Sequence, residues 1–190
     1  KDGEVLKQGY TKFGKLLKDS CQMDINKFMS SAQLAHQYML ENKVFEEVEQ
    51  ISSTPLQYIM KCMVGGRTMC SENKKHHVKD ILDDFDAVSL YPSAMSRLGG
   101  YLKGKPKVLT NLTYDFLQQC DGYFVQIKIT KVGKSYKFPL MSYIDDDTSV
   151  RNFTNTPLSN LYVCKFDLED LINFHQIEFE IIDGYYYDEG

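Results

Sequence analysis

An α+β fold is what this sequence predicts, and three observations predict it. Residues 4–17, and the stretches after Ser30 and after Thr54, place apolar side chains at helical spacing. Val125, Ile127 and Ile129 alternate with Gln126, Lys128 and Thr130, the period of a half-buried strand. Between these regions, residues 81–96 read Ile-Leu-Asp-Asp-Phe-Asp-Ala-Val-Ser-Leu-Tyr-Pro-Ser-Ala-Met-Ser, an apolar strand bearing carboxylates that runs into a helix start. A chain of 190 residues, 43% apolar and 25% charged, has material for one sizeable core or two small ones. No apolar run approaches the roughly 18 residues needed to span a bilayer, so no membrane partner is expected. The cysteines at 21, 62, 70, 120 and 164 are odd in number, widely spaced and without a Cys-x-x-Cys pair. Neither a disulfide framework nor a zinc ribbon is expected, and an intracellular, reducing compartment fits. The net charge of −4 disfavours a general nucleic-acid coat and leaves room for local basic patches.

Taken in order, Val5, Leu6, Tyr10, Phe13, Leu16 and Leu17 make an amphipathic helix, with Asp2 at its start. Asp24 to Lys27 reads as a helix entry or short strand. Ser30 or Ser31 caps a helix through Ala32, Leu34, Ala35, Tyr38 and Met39, in which His36 has no partner at ligand spacing. Glu46, Glu47 and Glu49 form a solvated turn. Thr54 and Pro55 pair as N-cap and first helical residue of a helix through Leu56, Ile59, Met60 and Met63, which Gly65-Gly66 ends. Arg67 follows, a planar phosphate donor beside a glycine pair that lets another backbone approach. A Gly-Gly terminator with no ligand is the plain alternative. Lys74, Lys75, His76, His77 and Lys79 precede the central strand, and Lys103, Lys105 and Lys107 follow its helix. The two clusters bracket an acidic stretch, as a phosphate-backbone channel requires. Thr113 caps a short helix, the Val125–Ile129 strand turns at Gly133-Lys134 and returns through Tyr136, Phe138 and Leu140 as a hairpin, and residues 143–156, with Asp145, Asp146 and Asp147, form an exposed loop. Residues 161–166 are a strand, Asp167 with Asp170 caps a further helix, and residues 176–187 are the last strand.

In the central stretch, alternation puts Asp84 and Asp86 on one strand face. Ser89 caps the helix that follows and Pro92 is tolerated in its first turn. A carboxylate at a strand end, just before free helix-start amides, suits a divalent cation and the phosphates it bridges. Asp86-Ala87-Val88-Ser89-Leu90-Tyr91-Pro92-Ser93 resembles motif A of family B DNA polymerases, Asp-x-x-Ser-Leu-Tyr-Pro-Ser, at every specified position. Met63-Val64-Gly65-Gly66-Arg67 resembles the Tyr-x-Gly-Gly template-contacting motif of the protein-primed branch, with methionine in place of tyrosine, which removes the aromatic stacking. Lys1-Asp2-Gly3-Glu4-Val5-Leu6 looks like the second half of the third exonuclease motif, against which stands a plain capping aspartate.

The resemblance implies an α+β fragment: residues 1–50 the end of a 3′-5′ exonuclease domain with linker helices, 51–108 the start of a palm with motif A, and 109–190 an insertion with antiparallel strands where a terminal protein docks. By motif, Asp86 and the backbone carbonyl of Ala87 are ligands of the catalytic magnesium ions, two in number, with the second carboxylate supplied from outside this chain. Ser89, Leu90 and Tyr91 bind the dNTP, Tyr91 excluding the 2′-hydroxyl. Gly65, Gly66 and Arg67 bind DNA, and Asp2 is an exonuclease metal ligand. The expected activity is DNA-directed DNA synthesis on a template-primer, with a terminal protein as a further partner, in an infected host cell, an organelle or a linear-plasmid host. The chain has no Asp-Thr-Asp motif and no lysine-bearing triphosphate motif, so alone it is expected to be inactive. A non-catalytic DNA- or terminal-protein-binding module is the alternative. A small phosphohydrolase using Asp84 and Asp86 would need His76 or His77 as a third ligand.

Overall fold

The computed structural model describes residues 2–46, 48–69, 74–145 and 147–190; Lys1, Glu47, Cys70 and Asp146, named above, lie outside them. The chain divides into two compact units, residues 1–49 and 50–190. Helices and antiparallel strands are both present, an α+β chain as the sequence predicts.

In the first unit, α1 spans Asp2–Cys21 and α2 spans Ser31–Glu41, joined by a 3-10 turn at Ile25–Lys27. Asp24 opens that turn by accepting from the Asn26 amide, which together with the Asn26 side chain holds the Asp24 carboxyl below its usual pKa. Ser30 caps α2 through the Gln33 amide. The turn folds back on α1, where Tyr10 donates to Asn26 at 3.0 Å and Ile25 closes on Gly14. Among described residues of this unit only Met23 is buried, and the apolar side chains Val5, Leu6 and Leu16 of α1 are open to solvent.

The second unit is built on a four-stranded antiparallel sheet in the order β1-β6-β2-β5: β1 Lys107–Val108, β2 Gly122–Val132, β5 Leu161–Cys164 and β6 Ile177–Tyr187. Period-two alternation puts Tyr123, Val125, Ile127 and Ile129 of β2 on one face, all buried. Leu117 of α5 (Tyr114–Leu117), Leu168 of α6 (Lys165–Asp170) and Leu171, which opens a π-helical turn at Leu171–His175, join them in one core. Thr113 caps α5 as expected, accepting from the Phe116 amide. On the other face lies α3, Ser53–Cys62, whose Tyr58 meets the edges of Tyr162 and Tyr185 at centroid distances of 5.2 Å.

Several expectations give way here. The helix α3 begins at Ser53 with Ser52 in the cap position, so Thr54 and Pro55 fall inside its first turn; it ends at Cys62 with extended backbone at Met63, before the glycines. The Gly133-Lys134 hairpin is absent: β6 pairs with β2 from Gly122 to Val132, β5 takes Phe124–Ile127 on the other edge, and residues 134–141 run on without strand pairing. Residues 143–156 are not a plain loop, because β3 (Ser142–Ile144) and β4 (Arg151–Phe153) pair across a turn in which Asp145 accepts from the amide and hydroxyl of Thr148. The capping pair of α6 sits one turn earlier than expected: Asp167 is the third helical residue and accepts from the amide and thiol of Cys164.

Candidate functional site

The acid-bearing segment adopts no regular structure from residue 79 to residue 87, and every residue from 74 to 92 is exposed. The expected strand with Asp84 and Asp86 on one face is therefore not formed. A strand is stabilised by its ladder, and no described strand lies beside this one. Its apolar side chains Ile81, Phe85 and Val88 are each about nine-tenths exposed, so the alternation has no surface to cover.

Regular structure resumes at α4, Leu90–Met95, directly after the motif's serine. Ser89 occupies the cap position in the left-handed region, φ 49° and ψ 46°, and its side chain makes no capping hydrogen bond. Its carbonyl accepts the helical bond from Ser93 at 2.9 Å, and Pro92 stands in the first turn, where its missing N–H costs nothing. Asp86 thus precedes the helix start with an open carboxylate, and Tyr91, on the first turn, is 72% exposed.

The structure brings two of the expected site residues near each other. A Cβ built on Gly66 would lie 3.9 Å from the Tyr91 hydroxyl, so the segment after α3 passes beside the motif A tyrosine. Neither Gly65 nor Gly66 has positive φ, and among the described residues nothing lies within 4 Å of the Gly65 Cβ position. Among the described residues nothing demands glycine at these places. Arg67 is engaged internally: it donates from Nη1 to the Pro139 carbonyl at 2.9 Å and stacks on Phe153, its Cζ 3.9 Å from the ring centroid. Asp2 lies in the first turn of α1, in the first unit. Of the flanking lysines, Lys107 pairs with Asp188 at 2.6 Å on exposed surface, and its ammonium pKa is raised by that hydrogen bond.

Two features carry no signal in the sequence. Tyr58 shares its hydroxyl proton between the Asp183 carbonyl, at 3.1 Å, and the Asp183 carboxylate, and burial, then this hydrogen bond, pushes its pKa upward. Phe153 receives Arg67. Their partners are 125 and 86 residues away, beyond any local pattern.

As donors for a cation, the exposed Asp86 carboxylate and the Ala87 carbonyl are hard oxygens of the kind magnesium takes. Among the described residues no group of three or more His, Cys, Asp or Glu side chains is gathered to hold a metal, so His76 and His77 do not complete a site with Asp84 and Asp86. The chain fits one side of a magnesium site.

An α+β chain with Asp-x-x-Ser-Leu-Tyr-Pro-Ser at a helix start falls in the class of nucleic-acid polymerases. The family model described as DNA polymerase type B, organellar and viral, matches residues 1–190, the whole chain, and the chain belongs to that family. No curated protein and no solved structure matches it significantly.

Proposed function

We propose that this chain is the motif A part of a DNA-directed DNA polymerase that joins a dNTP to a primer 3′-hydroxyl with release of pyrophosphate. The observation that supports the reading is an open carboxylate at Asp86 four residues before the helix start at Leu90, with the exposed Tyr91 beside Gly66. Asp86 and the carbonyl of Ala87 would hold magnesium. Bound there with a second carboxylate from elsewhere in the polymerase, the ions would acidify the primer hydroxyl and offset charge on the leaving pyrophosphate. The amides of Ser89, Leu90 and Tyr91 orient the triphosphate, and the Tyr91 ring lies under the deoxyribose, leaving no space for a 2′-oxygen. Gly65 and Gly66 let the template backbone approach, with Arg67 beside it.

In the same reading, residues 1–50 complete a 3′-5′ exonuclease with Asp2 as a metal ligand, 51–108 open the palm, and 109–190 dock a terminal protein that primes synthesis. The polymerase works in a reducing compartment of an infected cell, organelle or plasmid host, in keeping with the described cysteines 21, 62, 120 and 164, which are free thiols.

The test is Asp86→Asn in a polymerase carrying this chain. Primer extension should fall about 10³-fold or more, the effect of losing a group that acts on transition-state charge. Extension near the unsubstituted rate, or DNA binding indifferent to magnesium in a chain that never extends a primer, would favour a non-catalytic binding module.

A further inference from the structure

A cation after a glycine pair invites a phosphate, yet Arg67 has its own partners inside the chain. Its Nη1 reaches the Pro139 carbonyl at 2.9 Å, and its guanidinium lies over Phe153, with Phe138 5.7 Å away. Phe153 ends β4, and Pro139 lies three residues before β3. A hydrogen bond in the guanidinium plane and a ring against its face together fix position and tilt, which a lysine ammonium cannot reproduce. At the other end of the same stretch, Tyr58 ties α3 to β6 through Asp183. Residues 59–66 are thus a strap held at both ends, and Gly66 is the point at which it passes the Tyr91 hydroxyl.

We infer that Arg67 is a positioning residue for Tyr91: clamped by Pro139 and Phe153, it holds the Gly65-Gly66 strap against the Tyr91 hydroxyl, and the β3–β4 hairpin thereby sets the sugar selectivity of the site. The inference rests on the proposed contact of Tyr91 with the nucleotide sugar. Without the clamp the strap moves away from Tyr91, the ring gains freedom, and a 2′-hydroxyl is tolerated. The substitution that isolates this effect is Phe153→Leu, which leaves the charge of Arg67 untouched and removes only the surface it stacks on.

The experiment compares Phe153→Leu, Phe153→Tyr, Arg67→Lys and Arg67→Ala in a polymerase carrying this chain, with Asp86→Asn beside them. The readouts are kcat and KM for a dNTP and its matching ribonucleotide, and template-primer affinity at several salt concentrations. Phe153→Leu, Arg67→Lys and Arg67→Ala should each lower deoxyribonucleotide preference by about tenfold, mainly through a lower ribonucleotide KM. Phe153→Tyr keeps a ring and should restore the preference. The salt slope of DNA binding should not change in Phe153→Leu. Full sugar selectivity in Phe153→Leu and Arg67→Lys, with Arg67→Ala only reducing the salt slope by about one, would make Arg67 a phosphate ligand and overturn the inference. Loss of synthesis in Asp86→Asn keeps the reading of the site whichever way the Arg67 result falls; retained synthesis rejects that reading instead. Should Phe153→Leu not fold, the nuclear Overhauser contact between the Gly66 α-protons and the Tyr91 ring in the folded Arg67→Lys chain decides: its loss supports the clamp, its persistence overturns it.

Discussion

His175 is wholly buried and speaks to backbone alone. Its Nε2 accepts from the Leu140 amide at 3.0 Å, its Nδ1–H donates to the Lys134 carbonyl at 2.9 Å, and its ring meets Tyr136 edge on at 5.1 Å. One neutral side chain thus substitutes for the strand pairing that residues 134–140 lack. His175→Phe fills the same space and leaves the part-buried Leu140 N–H and Lys134 C=O without that partner. It should lower unfolding free energy by about 1–2 kcal/mol, read as a lower urea midpoint at unchanged slope. In the sequence this histidine shows nothing, because its partners are main-chain groups 35 and 41 residues away. The same blindness affects Arg67, whose Pro139 and Phe153 partners lie far along the chain and leave no local signal. Asp86 and Tyr91 were legible because their motif is contiguous. A contiguous motif can nominate such a site from spacing, whereas a clamp requires the fold.

Elements were legible where their partner is internal. Helices α1, α2 and α5 satisfy their own backbone groups, and their apolar spacing and caps gave them away. Strands β2 and β6 announce themselves by alternation, and each finds the other. Residues 84–88 alternate just as well and form no strand, since alternation describes a face and a ladder needs a neighbour. The hairpin after Gly133 failed for the opposite reason: the alternating residues beyond it had to compete with β6, eleven residues long, for the same edge of β2. That pairing is tightest at Gly184. A Cβ there would lie 2.6 Å from the Phe124 carbonyl oxygen and 2.8 Å from Val125 Cγ1, and backbone in a central strand has little room to yield. Gly184→Ala should therefore destabilise the second unit by about 1–3 kcal/mol in equilibrium unfolding, although alanine is otherwise the better strand residue.

At the scale of the molecule, burial of acidic protons sets a limit on alkaline stability. Burial pushes the Cys62 thiol up to about 12 and the Cys164 thiol up to about 11, from 9.0, and raises the Tyr58 and Tyr123 hydroxyls as well. Because the folded-state values lie above the unfolded ones, the stabilisation is complete below pH 9 and declines as pH rises toward 12, where the unfolded chain sheds protons first. Each thiol adds a slope of at most about 1.4 kcal/mol per pH unit in that window. Urea unfolding at pH 7, 8 and 11 should show a nearly flat first interval and a steep second one. Replacing Cys62 with Ala should flatten the second; an unchanged slope would mean that the thiol ionises as readily folded as unfolded.

The ladder between β2 and β6 joins residues 122–132 to residues 177–187, and Tyr58 waits for Asp183. On a ribosome adding about 5–20 residues per second, the apolar face of β2 is made several seconds before the strand that pairs with it. The first unit, whose contacts are local, can fold while that wait lasts. The second unit cannot close its sheet until residue 187 has cleared the exit tunnel, so the β6-facing edge of β2 stays open and aggregation-prone for that interval. Slowing translation after residue 132 lengthens the exposure, and a holdase that binds extended apolar segments would find its target there.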